Sequence, residues 1–487
     1  MAQSDAWVVG DQYAIMQPGT TPTTLVDLPQ PLPDGNHDNW KYAGASGTLS
    51  STARTDGASN LMFFAINGNI YDGDGYLIAD AANVPGCTEC LSPGSAGEFL
   101  TVPVPGQCAL FYVIRARPRT ETLKLSFFVS LLDMAAENPR WPGRFGQLVD
   151  LSFSGSNAGQ YPTPLMNWFN LNAYDSYSAQ LSDQGNEIKN GYGSVAVMDP
   201  NWPGGELLLH CTTSDRVRQW RVTSGGFTPI GTIWLTASAG NSDKGRLRDT
   251  DFGIDQATGQ LLFAVSGCEM AAPTGYPSGI NYTSMVLRLN ATTGALISKT
   301  GYQPTSLATV NCATLASSPQ GIFGVAFNPA GNKMYFTGDP SSVSLGVINL
   351  ANGAVTNLAT LPNLNIPNPQ LKARTHLNLN KAPGGTGTAI YYAHANGLAA
   401  LVGPDNPATA TWTDQVAFSQ PLGGTVLLND PLVAGMAQPY QLDAQVFRDP
   451  YLATYNAAAC CTFRESFANG TSVHSFAGTT TYTTPWT

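Results

Sequence analysis

Charge is the first thing this sequence is short of. Of 487 residues only 11% are Asp, Glu, Lys or Arg, against about 25% in an ordinary soluble domain. Basic residues are the scarcer: Lys and Arg total 23 against 33 Asp and Glu, for a formal net charge of −10. No basic stretch is long enough to follow a phosphate backbone or an anionic bilayer, which excludes nucleic acid as a general partner and a polybasic membrane anchor. Apolar runs of about 20 residues are also missing, so no membrane-spanning helix and no membrane insertion is predicted. The N-terminus, MAQSDAWVVGDQYAIM, lacks a basic segment followed by an apolar one. Together with the low lysine and high Ser, Thr, Asn and Gly content, this is read as an exported protein whose leader has been removed.

Catalytic signatures are equally scarce. Gly-x-Ser-x-Gly does not occur, and neither does a Walker A loop or a Gly-x-Gly-x-x-Gly opening a helix. The five histidines, His37, His210, His376, His394 and His474, form no His-x-His or His-Glu-x-x-His pattern. No cofactor is therefore expected, calcium being the single alternative. Eight cysteines include Cys87-x-x-Cys90 and the vicinal Cys460 and Cys461. Neither pair has a histidine at ligand spacing, so disulfides are favoured over a zinc site.

What is abundant is turn chemistry. Fifty glycines and 34 prolines are spread over the whole chain. Helical periodicity is nearly absent; its best case is LLDMAAEN, Leu131 to Asn138, which stops before Pro139. The rest reads as short strands broken by Gly, Pro, Asn and Asp. One pattern recurs: an apolar strand, a turn, and a second apolar strand. It occurs in DFGIDQATGQLLFAVSG (251–267), GVAFNPAGNKMYFTGD (324–339) and LNLNKAPGGTGTAIYYAHANG (377–397). A second pattern, a strand ending in Asn, a Gly turn and a Thr- or Ser-rich strand, follows in MVLRLNATTGALISKTG (285–301) and LGVINLANGAVTNLATLP (345–362). Alternating the two gives four-stranded antiparallel units, which cannot bury their faces alone and must stack. The expected fold is all-β, a single β-propeller of about seven four-stranded blades over residues 1–455, with six or eight as the neighbouring counts. Residues 456–487 read as a C-terminal β tail, the start of a further domain that stops short. Two or three sandwich domains are the rival layout.

Four N-terminal segments carry a resemblance. They are WVVGDQYAIM (7–16), NLMFFAINGNIYDGDGYLI (60–78), FLTVPVPGQCALFYVIRA (99–116) and LSFFVSLLDMA (125–135). Their order resembles the propeller-like N-terminal region of large secreted Bacteroidetes-type surface proteins associated with type IX secretion. The likeness is good over about the first 150 residues and loose to about residue 400. It implies a propeller fold, export and a bacterial source, and it identifies no active site. No sorting domain of that secretion type is recognisable here. On a bacterial source the Asn-x-Thr sequons at Asn281, Asn290 and Asn469 are not expected to carry glycans.

Candidate sites are few. Asp72, Asp74 and Asp80 in NGNIYDGDGYLIAD fall at positions one, three and nine of an EF-hand loop. Positions five, six and twelve are Tyr76, Leu77 and Asn83 where an oxygen ligand, Gly and Glu belong, so a β-hairpin around Asp-Gly is favoured over an EF-hand. SDRVRQWRV (214–222) and DKGRLRDTDFGID (243–255) concentrate Arg216, Arg218, Arg221, Arg246, Arg248, Asp249 and Asp251. They read either as salt-bridged blade edges or as a polar mouth for a sugar or anion. His376 is placed on an inner strand. Trp141 and Trp202, each in a Trp-Pro-Gly loop, are stacking candidates. The functional expectation is a secreted or cell-surface, non-catalytic binding module for glycan or a surface protein. The alternatives are a polysaccharide hydrolase or lyase with paired carboxylates at the channel mouth, and a self-assembling subunit of an extracellular fibre or surface layer.

Overall fold

A computed structural model describes residues 5–9, 12–16, 26–44, 51–55, 60–66, 68–80, 99–107, 109–118, 125–151, 161–181, 194–198, 206–212, 216–235, 246–271, 281–302, 324–337, 344–360, 377–381, 388–394, 397–413, 446–447, 471–475 and 481–485. Nearly all of this is antiparallel sheet, and six sheets follow one another along the chain. Sheets IV, V and VI are simple four-stranded meanders. Sheet IV runs Arg246–Asp255, Gln260–Ala271, Asn281–Leu289 and Leu296–Tyr302. Sheet V runs Val325–Phe327, Lys333–Thr337, Ser344–Asn349 and Val355–Thr360. Sheet VI runs Leu377–Lys381, Thr388–His394, Gly397–Val402 and Thr411–Thr413. The repeated strand-turn patterns of the sequence are the consecutive hairpins of these sheets.

The first three sheets exceed four strands. Sheet I contains the meander Ser51–Thr55, Leu61–Ile66, Asn69–Asp72 and Leu77–Ala79, extended by Asp5–Val9, Gln12–Met16 and Val26–Asp27 on the free edge of Ser51–Thr55. Sheet II is built on Phe99–Pro103, Leu110–Pro118 and the long strand Leu125–Glu137. Phe145–Leu148 and Ser178–Gln180 share the far edge of that long strand, and Ala173–Asp175 lies outside Ser178–Gln180. Sheet III runs Ser194–Met198, Leu207–Thr212, Arg216–Thr223 and Gly226–Trp234, with Val446–Phe447 parallel beside Ser194–Met198. Thr471–Ser475 and Thr481–Pro485 pair as a separate hairpin.

The way these sheets stack makes the fold a β-propeller. Side chains alternate between the two faces of a strand, and here each face belongs to a different neighbour. On Leu110–Pro118 of sheet II, Phe111 and Val113 pack with Phe63, Ile70 and Ile78 of sheet I, while Tyr112 and Ile114 pack with Leu209 and Phe227 of sheet III. On Leu207–Thr212, Leu207 and Leu209 face sheet II, while Leu208 faces Phe263 and Leu287 of sheet IV. On Gln260–Ala271, Phe263 and Val265 face sheet III, while Leu262 and Ala264 face Phe327 and Phe336 of sheet V. Every middle sheet is thus buried on both faces, as blades stacked face to face must be. The first meander strand of each sheet also lies against that of the next, which places those strands innermost.

One local reading needs correction. LLDMAAEN is strand, not helix: it is the second half of Leu125–Glu137. Leu131 is buried toward sheet III, while Leu132 and Met134 are buried toward sheet I, so strand alternation between two apolar neighbours overrides the helix propensity of Leu, Met and Ala. Among the described residues the α-helix is Thr163–Asn172, which begins after Pro162 and buries Leu165, Met166 and Phe169 as one apolar stripe against sheets II and III.

Candidate functional site

The best-defined cluster of aromatic and charged groups at the surface, some exposed and some half-buried, sits at the junction of sheets I and II. Three separate segments build it. The first is the return of residues 28–44 over sheet I. Leu28 and Tyr42 are buried with Phe64 and Tyr71 and fix its two ends. Tyr42 donates its N–H to the Gly75 carbonyl at 2.8 Å, and Lys41 bridges to Tyr76. Gly75 is required here: its φ is +91°, and a Cβ would collide with the Pro29 carbonyl. Between these ends the chain closes a tight acidic turn. Asp34 accepts the N–H groups of Asn36 and His37 at 3.0 and 2.8 Å, and Asp38 accepts those of Asp34 and Gly35 at 2.8 and 3.2 Å. The short 3₁₀ turn Asp38–Trp40 follows and presents Trp40, which is 38% exposed.

The second segment is the expected hairpin turn after Asn69–Asp72. One Asp72 oxygen accepts the N–H groups of Asp74 and Tyr76 at 3.0 and 2.9 Å, folding the loop around the carboxylate. The third is the turn after Leu125–Glu137. Asn138 fixes it by donating to the Leu77 carbonyl at 3.0 Å and accepting from the Arg140 N–H at 2.9 Å. That turn delivers Trp141 and Arg144 to the first two segments.

Four rings and six charged groups, with Asp38, come together. Trp141 meets Tyr76 edge-on at 4.8 Å between centroids, His37 at 5.5 Å and Trp40 at 6.3 Å, and His37 lies 5.3 Å from Trp40. Arg144 lies over the Tyr76 ring, 3.5 Å from its centroid, and bonds Asp72 at 3.0 Å and Asp74 at 2.9 Å. Lys41 bonds Asp34 and the Leu32 carbonyl, both at 2.8 Å, with its ammonium 5.9 Å from the Trp141 ring. The Lys41 bond, helped by the His37 and Asn36 N–H groups, holds the Asp34 carboxyl well below the usual range. Burial pushes Asp72 up against the pull of the Tyr76 N–H and of Arg144. Burial also works against a charged Arg144, but Asp74 and Asp72 outweigh it and keep the guanidinium ionised.

Of the residues singled out in the sequence, Trp141, Asp72 and Asp74 come together here. The two carboxylates converge on Arg144, and Asp80 faces Arg140 instead, at 4.0 Å. Among the described residues no three His, Cys, Asp or Glu side chains are grouped to hold a metal ion. Arg216 and Arg218 are buried on sheet III, with the Arg216 guanidinium 4.4 Å from the Trp234 ring centroid. Asp251 accepts the Phe327 N–H at 2.8 Å and so ties sheet IV to sheet V. The side chains of Arg248 and Asp249, and the residues Trp202, His376, Cys87, Cys90, Cys460 and Cys461, lie outside the described set. Cys211, the one cysteine whose side chain lies within it, is buried on sheet III. Sequence reasoning missed Trp40, Lys41 and Arg144. The signal was present in PDGNHDNWK (33–41), where Asp34 and Asp38 bracket a turn that ends in an exposed Trp.

No family model and no curated protein matches the chain. Among solved structures it is similar to the Dos1 propeller, at 8% identity and a TM-score of 0.40, covering 86% of each chain. A puromycin hydrolase gives 13% identity and a TM-score of 0.40, covering 88% of this chain and 55% of that one. The propeller domain of Cps50 (Swd1) from Myceliophteria thermophila gives 9% and 0.33, covering 75% and 85%. Likenesses this weak carry no argument about function, and the propeller assignment rests on the sheet stacking above. Among the described residues no helix is long and apolar enough to cross a membrane.

Proposed function

We propose that the protein is a non-catalytic binding module, secreted or displayed at a cell surface, that takes a saccharide on the Trp40–Trp141 patch. The observation that carries this reading is the cluster of Trp40, Trp141, Tyr76 and His37 at the surface, with Asp34, Asp38 and Asp74 around it. The C–H face of a pyranose is apolar and suits the negative face of an indole. Its hydroxyls suit fixed carboxylates, which accept charge-assisted hydrogen bonds. The turns that hold these groups are cross-tied by side-chain hydrogen bonds, so little ordering remains to be done on binding.

The test is calorimetric titration of the full chain with a panel of oligosaccharides, run beside turnover assays on the same panel. Trp40→Ala is expected to weaken binding at least about tenfold, the scale of a lost aromatic anchor. Its thermal unfolding should stay close to wild type, because Trp40 is not part of the core. Binding that Trp40→Ala leaves unchanged would move the site elsewhere. Turnover of a bound sugar would replace the binding module with the hydrolase or lyase.

A further inference from the structure

The same patch has an uneven distribution of charge. Asp34, Asp38, Asp72 and Asp74 surround it; Lys41 and Arg144 are the permanent cations paired with them, and the His37 Nδ1 lies 3.6 Å from Asp34. Both cations are engaged, and Lys41 is covered. The Lys41 side chain is 6% exposed, closed in by Asp34 and the Leu32 carbonyl. Arg144, half-buried, has one face against Tyr76 and donates from its Nη1 to both Asp72 and Asp74. Asp72 is covered too, at 10%, but the other three carboxylates are open: the Asp74 side chain is 73% exposed, that of Asp38 45% and that of Asp34 41%. A ligand resting on Trp40 therefore meets excess negative charge. The ring faces beside it attract cations as well.

We infer that the patch selects saccharides carrying protonated amino groups, of the 2-amino-2-deoxy type, over neutral and acidic saccharides. The inference rests on the saccharide-binding reading and names the class of sugar. An ammonium group next to a stacked ring would donate to Asp38 or Asp74 in a charge-assisted bond. A uronate or sulfate at the same position would face like charge. N-acetylation removes the charge but keeps the ring, so it isolates the electrostatic part.

The experiment titrates the full chain with glucosamine oligosaccharides of one length, fully deacetylated or fully N-acetylated, and with an oligogalacturonate. It is run at pH 6 in low and in high salt. The deacetylated oligomer is expected to bind at least about fivefold tighter than the acetylated one in low salt, the worth of one close charge pair in water. The uronate should bind weakest. High salt should shrink the ratio, and Asp74→Asn should shrink it in low salt. Equal binding of all three oligomers, or a uronate preference, would overturn the selectivity and leave the saccharide site standing. A ratio that ignores both salt and Asp74→Asn would overturn it too. If no oligomer binds, both readings fall.

Discussion

Acid should weaken this propeller through one histidine that the proposed site does not use. His210 is fully buried between sheets III and IV, 4.7 Å from the Phe252 ring centroid and 4.4 Å from that of Phe263. Its Nε2 lies 3.0 Å from Nε2 of Gln219, which also donates to the Gly294 carbonyl at 2.8 Å. A carbonyl can only accept, so Gly294 fixes the Gln219 amide with its nitrogen toward the imidazole. His210 Nε2 must then be the acceptor and carries no proton. A second proton would have to enter at that nitrogen, against a facing N–H and in a fully buried site. Burial lowers the His210 pKa from 6.5 to about 3. The folded-state value is depressed, so the stabilisation is whole above pH 6.5 and drains away as pH falls toward 3. Between pH 7 and pH 4 the loss is about 3 kcal/mol. The comparison is urea unfolding of wild type and His210→Phe at both pH values. The variant leaves one Gln219 N–H unpaired and loses a pH-independent amount of about 1–3 kcal/mol. Its stability should nonetheless fall less than wild type between pH 7 and pH 4, by about 3 kcal/mol. Equal falls in the two proteins would refute the reasoning.

Other contacts between blades give further tests. Gly331 has φ +67°, and a Cβ there would overlap the Ile254 carbonyl of the neighbouring sheet, whereas Gly259 has φ +69° and open space around it. Gly259→Ala should cost about 1–2 kcal/mol for the left-handed backbone alone. Gly331→Ala should cost about 1–3 kcal/mol more for the clash, and equal melting temperatures would show that the sheets are not this close. Asn328 is buried and holds its own turn through the N–H groups of Asn332 and Lys333, at 3.1 and 2.7 Å, while donating to Asp405 beside sheet VI at 2.6 Å. Asn328→Ala should destabilise by about 2–3 kcal/mol in thermal or urea unfolding, and a change within about 0.5 kcal/mol would remove its linking role.

The repeating hairpins were legible because their chemistry is local. Asp255 caps its turn by accepting the Ala257 N–H, Asn290 accepts from Thr292 and Thr293, and Asn349 accepts from Ala351. Each of these turns ends in a glycine with positive φ: Gly259, Gly294 and Gly353. Residues within five positions of one another set the hairpin, so a single sequence displays it. The six successive sheets follow from repeating it. What a single sequence does not display are pairings made across long separations. Asp5–Val9 joins Ser51–Thr55, and Val446–Phe447 joins Ser194–Met198. Nothing near residue 446 marks its partner.

The candidate site fails the same locality test, and the cause lies in how a propeller assembles. Arg144 meets Asp72 and Asp74 across about seventy residues of chain. His37 and Trp40 reach Trp141 across about a hundred. Read alone, YDGDGY is a hairpin turn with spare carboxylates, and NPRWPG is a loop around its own tryptophan. Each reading is locally correct: Asp72 does cap its own turn, and Trp141 does donate its backbone N–H back to the Asn138 carbonyl. The site exists because sheets I and II stack with those turns at the same end, and that register is set by Phe63, Ile78, Phe111, Leu132 and Met134 in the core between them. Substituting that core should therefore reach the patch. Met134→Ala changes no patch residue but opens the packing beneath Ile78, so it should shift the patch and weaken saccharide binding as well as stability. A variant destabilised by the expected 2–5 kcal/mol that still binds like wild type would show that the three turns hold one another without the blades beneath them.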